Sequence, residues 1–312
     1  MLGLDAGWQR VGTRDGTADC GRYAGCGIPA HDNLRSDMIF AVDYTGARTS
    51  ENEMIVLSLA QYTLVYNAFS FTLATMAAAS IFLWMGRSQV STSYKTALTI
   101  SGLVTAIAAY HYFRIFNSWE GAYTLRSDTL VATGFAFNDA YRYVDWLLTV
   151  PLLLIELILV MKLPQRETVS RSFRLGLAAA LMIALGYPGE IASDNATRAL
   201  WGTLATVPFL YIVWALFKGL GESINRQPES VRGLIKSARL LTFASWGFYP
   251  LVYMLPFTGL SGGAVTTGVQ IGYTFADIIS KVGLGILVYN IAVRKSAAER
   301  DEPFSGTRPI AA

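Results

Sequence analysis

The chain has 312 residues, 53% of them hydrophobic and only 15% charged, where globular proteins carry about 25% charged residues. With a mean hydropathy of +0.38, that deficit excludes an ordinary soluble enzyme and points to a polytopic protein of the lipid bilayer. A formal net charge of +3 is too small to argue for nucleic acid as a partner.

Residues 1–53 are polar, rich in Gly, Arg and Asp, and hold no apolar core of a signal peptide. They read as a disordered extension, or as an over-long start with Met38 or Met54 nearer the true beginning. Cys20 and Cys26 lie there, and two neighbouring cysteines are weak evidence for a disulfide, so they are assigned no role. Met54 to Gly86 carries no charge and is long enough for one tilted membrane helix. Thr96 to Phe113 gives a second span, which ends in His111 and Arg114. Residues 117–136 alternate polar and β-favouring side chains and predict a long loop with a short β-hairpin.

A third span runs from Asn138 to Met161 and a fourth from Phe173 to Tyr187, stopping at Pro188-Gly189. A fifth covers Thr197–Phe217. The sixth covers Gly233–Leu255, with Pro250 expected to kink it. The seventh covers Gly272–Val293. The expected fold is all-α: a seven-transmembrane-helix bundle over residues 54–296 with a tail at 297–312. No internal repeat is visible.

Seven spans put the termini on opposite sides. Basic residues cluster in alternate connections and the span ends beside them: Arg87 and Lys95; Lys162, Arg166, Arg171 and Arg174; Lys218, Arg226, Arg232, Lys236 and Arg239; then Arg294, Lys295, Arg300 and Arg308 toward the C-terminus. By the positive-inside rule these face the cytoplasm, and the N-terminus lies outside. The arginines of the N-terminal extension oppose this, but long tails count for little.

Two spans carry charges that their setting disfavours. In the seventh, Asp277 and Lys281 are four residues apart, on one helical face. A charge at mid-membrane costs roughly 2.5–3.5 kcal/mol on insertion scales and marks a functional site by default. A buried lysine is also the residue that forms Schiff bases with aldehydes. The plain alternative is an ion pair that locks two helices. In the third span, Arg142, Asp145, Thr149 and Glu156 are spaced 3, 4 and 7, near one face. Asp145 and Glu156 lie about 16 Å apart along the axis. Two acids at different depths suit a proton path, with Lys281 as a group between them. Asp145 and Asp277 would balance the cations Lys281 and Arg142, which makes burial tolerable. Glu156 has no cation near it in sequence and is expected to rest protonated, as a proton donor. A channel or transporter with scattered ion pairs is the competing reading.

The stretches RYVDWLLTVPLLL from Arg142, SWGFYPLVY from Ser245 and DIISKVG from Asp277 resemble the signature segments of the microbial rhodopsins. The resemblance covers roughly residues 54–296, and it implies all-trans retinal bound covalently to Lys281. Within that family the triplet at Asp145, Thr149 and Glu156 resembles the proteorhodopsin and xanthorhodopsin type of light-driven outward proton pump. YHYFRIFNSWE and ALGYPGE are similar to the xanthorhodopsin branch. The resemblance implies Asp145 as counterion and first proton acceptor, Glu156 as cytoplasmic donor, Asp277 as second counterion and Arg142 as the extracellular gate. It further implies a hydrogen-bonding role for Thr149 beside the counterion, and for His111 toward Asp145. Trp146, Leu153, Met182, Gly186, Phe209, Trp246, Tyr249 and Pro250 match retinal-pocket positions, and Leu153 matches green-absorbing members. Bacteriorhodopsin keeps paired release glutamates before its retinal-bearing segment, but no Asp or Glu lies between Pro256 and Asp277, which puts early proton release in doubt.

Gly202 matches a place where bacteriorhodopsin has tryptophan and the xanthorhodopsin branch has glycine. It leaves two readings open: a slot for a carotenoid ring beside retinal, or simple close helix packing. The resemblance also implies a multi-pass plasma-membrane protein that is not an enzyme and forms a trimer or pentamer. A photosensor signalling to a partner protein is the alternative function.

Overall fold

The computed structural model describes residues 57–126, 129–219, 221–260 and 262–301. The extension at 1–53, with Cys20 and Cys26, and the tail beyond Asp301 lie outside the described residues. Helix α1 spans Leu59–Gly86 and α2 spans Thr92–Ala122. Strands β1 (Tyr123–Arg126) and β2 (Thr129–Ala132) follow, then α3 (Ala140–Met161), α4 (Gln165–Glu190) and α5 (Asn195–Trp214). A short α6 (Gly221–Asn225) precedes α7 (Glu229–Tyr253). The last membrane helix is α8 (Gly263–Asp277), a π-helical stretch Ile278–Gly283, and α9 (Leu284–Asp301) in sequence.

The seven-helix bundle and the hairpin agree with the sequence. The strands pair antiparallel, with Tyr123 opposite Ala132 and Leu125 opposite Leu130. Among the described residues, six helices are long and apolar enough to cross a membrane. The seventh, α7, carries Arg232, Lys236 and Arg239 in its first half and is apolar only beyond them.

Helix ends extend past the apolar runs. Helix α2 continues to Ala122, so residues 117–122, expected in the loop, are helical. Helix α4 begins at Gln165 rather than near Phe173, and an Arg171–Glu167 pair at 2.6 Å braces that first stretch. It also runs through Pro188 to Glu190 instead of stopping there, just as α7 runs through Pro250. Helix α8 begins nine residues before Gly272, and α9 carries the helix through 297–301 of the expected tail.

Local chemistry fixes several of these ends. Ser58 caps α1 through a capping box with Gln61, and Asp194 caps α5 by accepting from the Thr197 N–H at 2.8 Å. Lys162 closes α3 in the left-handed region at φ 54°. The turn into α8 uses Gly259 and Gly262 at φ 77° and 62°, values that glycine adopts without strain.

The helices pack in succession, α1 on α2, α2 on α3, α3 on α4, α4 on α5, with α7 against α8 and α9, and α8 back on α1. One buried cluster centres on α3, from Trp146 to Met161. A second, aromatic cluster of Phe69, Tyr112 and Trp119 ties α1 and α2 together near the hairpin. Between the two lies the polar site.

Candidate functional site

Helix α3 presents Arg142, Asp145, Thr149 and Glu156 to the interior, and all four are buried. The face deduced from their spacing is therefore the inner face. From the last helix, Asp277 and Lys281 meet them. Nζ of Lys281 donates to Oδ2 of Asp145 at 2.8 Å and to Oδ1 of Asp277 at 2.6 Å. No side chain of the three is more than 1% exposed. Lys281 sits in the π-helical stretch, a local widening that often accompanies functional sites.

The two carboxylates are held differently. Asp277 is surrounded by donors: Oδ1 accepts from the Trp146 indole at 3.0 Å and the Tyr249 hydroxyl at 2.6 Å, and Oδ2 accepts from the Tyr112 hydroxyl at 2.8 Å. Arg142 stands 3.7 Å from Oδ2. On Asp145, Lys281 takes one oxygen, while Oδ1 is buried without a hydrogen-bond partner. His111 lies 3.9 Å from that oxygen, beyond hydrogen-bond reach, and its Nδ1 lies 3.0 Å from the Ile107 carbonyl instead. The Thr149 hydroxyl donates to the backbone carbonyl of Asp145 at 2.8 Å, so it fixes the helix and not the carboxylate.

Two buried anions thus face two buried cations, which is what makes the cluster tolerable in a low-dielectric interior. The guanidinium of Arg142 donates to the Tyr112 hydroxyl at 3.0 Å and to Oε1 of Gln270 at 2.7 Å. Gln270 in turn donates to Asp139 at 3.0 Å, so polar groups continue toward the start of α3. Nearby, Oε2 of Glu190 accepts from the hydroxyls of Tyr273 at 3.1 Å and Tyr143 at 3.3 Å, with Arg198 at 3.7 Å.

In the other direction along α3, Glu156 is fully buried; the Ser101 hydroxyl of α2 faces its carboxyl, but neither carboxyl oxygen has a hydrogen bond of normal length. An orphaned buried carboxyl asks for an explanation. It is not part of the Lys281 cluster: it stands eleven residues from Asp145 on the same face.

A cavity of about 540 Å³ leads from Lys281 into the gap between α5 and α7. Trp146, Leu153, Met182, Gly186, Gly202, Phe209, Trp246, Tyr249 and Pro250 all line it, along with Tyr143, Tyr253 and Tyr273. Its size is within the roughly 300–1,000 Å³ of small-molecule sites. Apolar walls with a single amine at one end fit an elongated apolar group that ends in a carbonyl carbon. A Cβ at Gly202 would lie 2.8 Å from Cε1 of Tyr253. The glycine therefore admits the Tyr253 ring, whose hydroxyl donates to the Arg198 carbonyl at 2.7 Å. The same wall reaches Thr203, Thr206 and Met254, which are exposed.

Tyr112, Gln270, Tyr273 and Glu190 were not singled out from the sequence. A helical step back from Lys281 through Asp277 gives Tyr273 and Gln270, at spacings of 4, 4 and 3, and that signal was available.

The bacteriorhodopsin-like protein family matches residues 64–295. A green-light absorbing proteorhodopsin from Gamma-proteobacterium EBAC31A08 is 33% identical over 238 residues, 74% of this chain and 88% of that protein. The crystal structure of xanthorhodopsin, described as a light-driven ion pump with dual chromophore, is 50% identical, with a TM-score of 0.76, covering 80% of this chain and 99% of that one. Thermophilic rhodopsin is 46% identical, also with a TM-score of 0.76, over 79% of this chain and 99% of that one.

Proposed function

Because this chain belongs to the bacteriorhodopsin-like family, as a microbial rhodopsin of the proteorhodopsin and xanthorhodopsin type, we propose that it pumps protons outward in the light, with retinal held as a protonated Schiff base on Lys281. When bound, retinal supplies absorption of visible light and an isomerisation that changes the proton affinity of the nitrogen on Lys281.

The chain's own residues supply the rest. Trp146, Trp246, Tyr249 and Pro250, with Leu153, Met182, Gly186 and Phe209, wall the cavity that would hold the polyene. Asp145 neutralises the positive nitrogen and accepts its proton, for which the unpartnered Oδ1 is available. Asp277, with donors on both oxygens, stays an anion and acts as second counterion. Arg142 closes the extracellular side and steers a proton outward past Gln270. Glu156 keeps a proton on its carboxyl and returns it to Nζ of Lys281. Thr149 holds the backbone at Asp145, and His111 tunes Asp145 from 3.9 Å. The single observation that carries the reading is this asymmetry: one lysine between a saturated carboxylate and an open one, with a third carboxyl, Glu156, away from any cation and eleven residues past the open one on α3.

In this reading the N-terminus is extracellular, the C-terminus cytoplasmic, and the chain forms a trimer or pentamer in the plasma membrane. A carotenoid ring seated at Gly202, with the Tyr253 ring swung aside, would serve as antenna; the dual chromophore of xanthorhodopsin supports that seat. A photosensor needs no fast donor, so Glu156 separates the two functions. The test is proton flux from illuminated vesicles of known orientation, wild type against Glu156→Gln. Fast flux slowed by the variant supports the pump. A slow cycle with no flux would replace it with the sensor.

A further inference from the structure

Outside the retinal site, one buried cation has no part in the mechanism above. Lys295, on α9, is 5% exposed. Its ammonium has three N–H donors, and it meets three acceptors: the carbonyls of Val160 at 3.0 Å and Met161 at 3.1 Å, and Oε1 of Gln227 at 2.7 Å. Val160 and Met161 end α3, where the last carbonyls of a helix have no partner within it. A cation there also meets the negative end of the helix dipole. Gln227, between α6 and α7, donates back to the Met161 carbonyl at 3.1 Å.

The arrangement is braced from the other side. The Tyr94 ring lies 5.3 Å from Nζ of Lys295 and 5.6 Å from Nζ of Lys162. Glu299, one turn past Lys295, accepts from Lys162 at 2.7 Å and from Ser91 at 3.0 Å, and also from the Tyr94 hydroxyl. Helices α2, α3 and α9 and the α6–α7 linker are thus joined at one end of the bundle. That end is the one nearest Glu156. Met161 is five residues past Glu156, about 7.5 Å of axial rise.

We infer that Lys295 is a positioning residue for proton uptake: it pins the end of α3 shut above Glu156 and slows reprotonation of that carboxyl from the cytoplasm. Both of its effects act in the same direction. Its three bonds keep the last turn of α3 closed to water. Its charge stabilises the Glu156 anion once the proton has left and repels the proton that replaces it. The inference rests on the pump reading, which supplies the role of Glu156.

The test uses the full retinal-loaded chain and three variants. Lys295→Gln removes the charge, Lys295→Arg keeps it, and Gln227→Leu removes one acceptor. Two quantities are read: amide hydrogen exchange over residues 158–162, and the rate of proton uptake after a flash, followed with a pH-indicator dye. Lys295→Gln should raise exchange and speed uptake severalfold. Lys295→Arg should stay near wild type in uptake. Gln227→Leu should raise exchange with a smaller gain in uptake, and it carries the test if Lys295→Gln does not assemble. Raised exchange with unchanged or slower uptake overturns the inference, as does unchanged exchange. A wild type that takes up no proton in light defeats the pump reading itself, and with it the role given to Lys295, whatever the exchange shows.

Discussion

Glu156 offers a prediction in which stability and function move in opposite directions. Both of its carboxyl oxygens are buried, and although the Ser101 hydroxyl faces them, neither has a hydrogen bond of normal length. Leaving a buried polar group unpaired costs about 1–3 kcal/mol. Glu156→Leu replaces that carboxyl with apolar atoms in the apolar run between Leu152 and Leu159. The variant should therefore be more stable by about 1–3 kcal/mol, which for a chain of this size raises the thermal midpoint by about 2–10 °C. Glu156→Gln keeps two polar atoms in place and should gain nothing. The assay is thermal denaturation in detergent, read by helical circular dichroism and by loss of visible absorbance, beside light-driven pumping of the same preparations. The expected result is a higher midpoint and slower pumping for the leucine variant. A lower midpoint would refute the reasoning, because it would mean the carboxyl makes a structural bond and is retained for the fold.

Three further outcomes follow from the site. Lys281→Ala should yield no covalent visible pigment, and by leaving Asp145 and Asp277 without their shared cation it should destabilise the fold by about 3–5 kcal/mol; a chromophore still attached after acid denaturation would contradict this. Asp145→Asn removes the anion that holds positive charge near the Lys281 nitrogen, so absorption should move to the red and pumping should stop, both checked in one spectrum and one flux trace. Gly202→Trp must displace the Tyr253 ring and break its bond to the Arg198 carbonyl; it should abolish the spectral bands of an added carotenoid while retinal stays bound, and equal carotenoid binding by the variant would remove the antenna.

The legible parts of this chain are those where composition conflicts with setting. Asp145, Glu156, Asp277 and Lys281 stand out because charge inside an apolar span is costly, and α3 buries all the residues its spacing placed on one face. Helix ends were less legible, since hydropathy reports where the lipid is and not where the hydrogen-bonding ends. Helix α4 begins in Gln165–Arg174, which looks like a loop by charge but is helical and braced by Arg171–Glu167. Tyr112, which donates to Asp277, and Tyr273, which donates to Glu190, were missed for a related reason: both resemble ordinary span aromatics, and only contact across helices gives them a role. The π-helical stretch around Lys281 left no mark in the sequence, because no residue type demands it. Lys295 looked like a tail lysine under the positive-inside rule; its burial depends on how α3 ends at Lys162.

The central claim is outward proton transport driven by light. Its most direct measurement is the pH of an unbuffered suspension of cells that express the chain with retinal, under illumination, with and without a protonophore. The account predicts acidification of the medium that begins with the light, reverses in the dark and disappears with the protonophore. No light-dependent change, or alkalinisation of the medium, would contradict it.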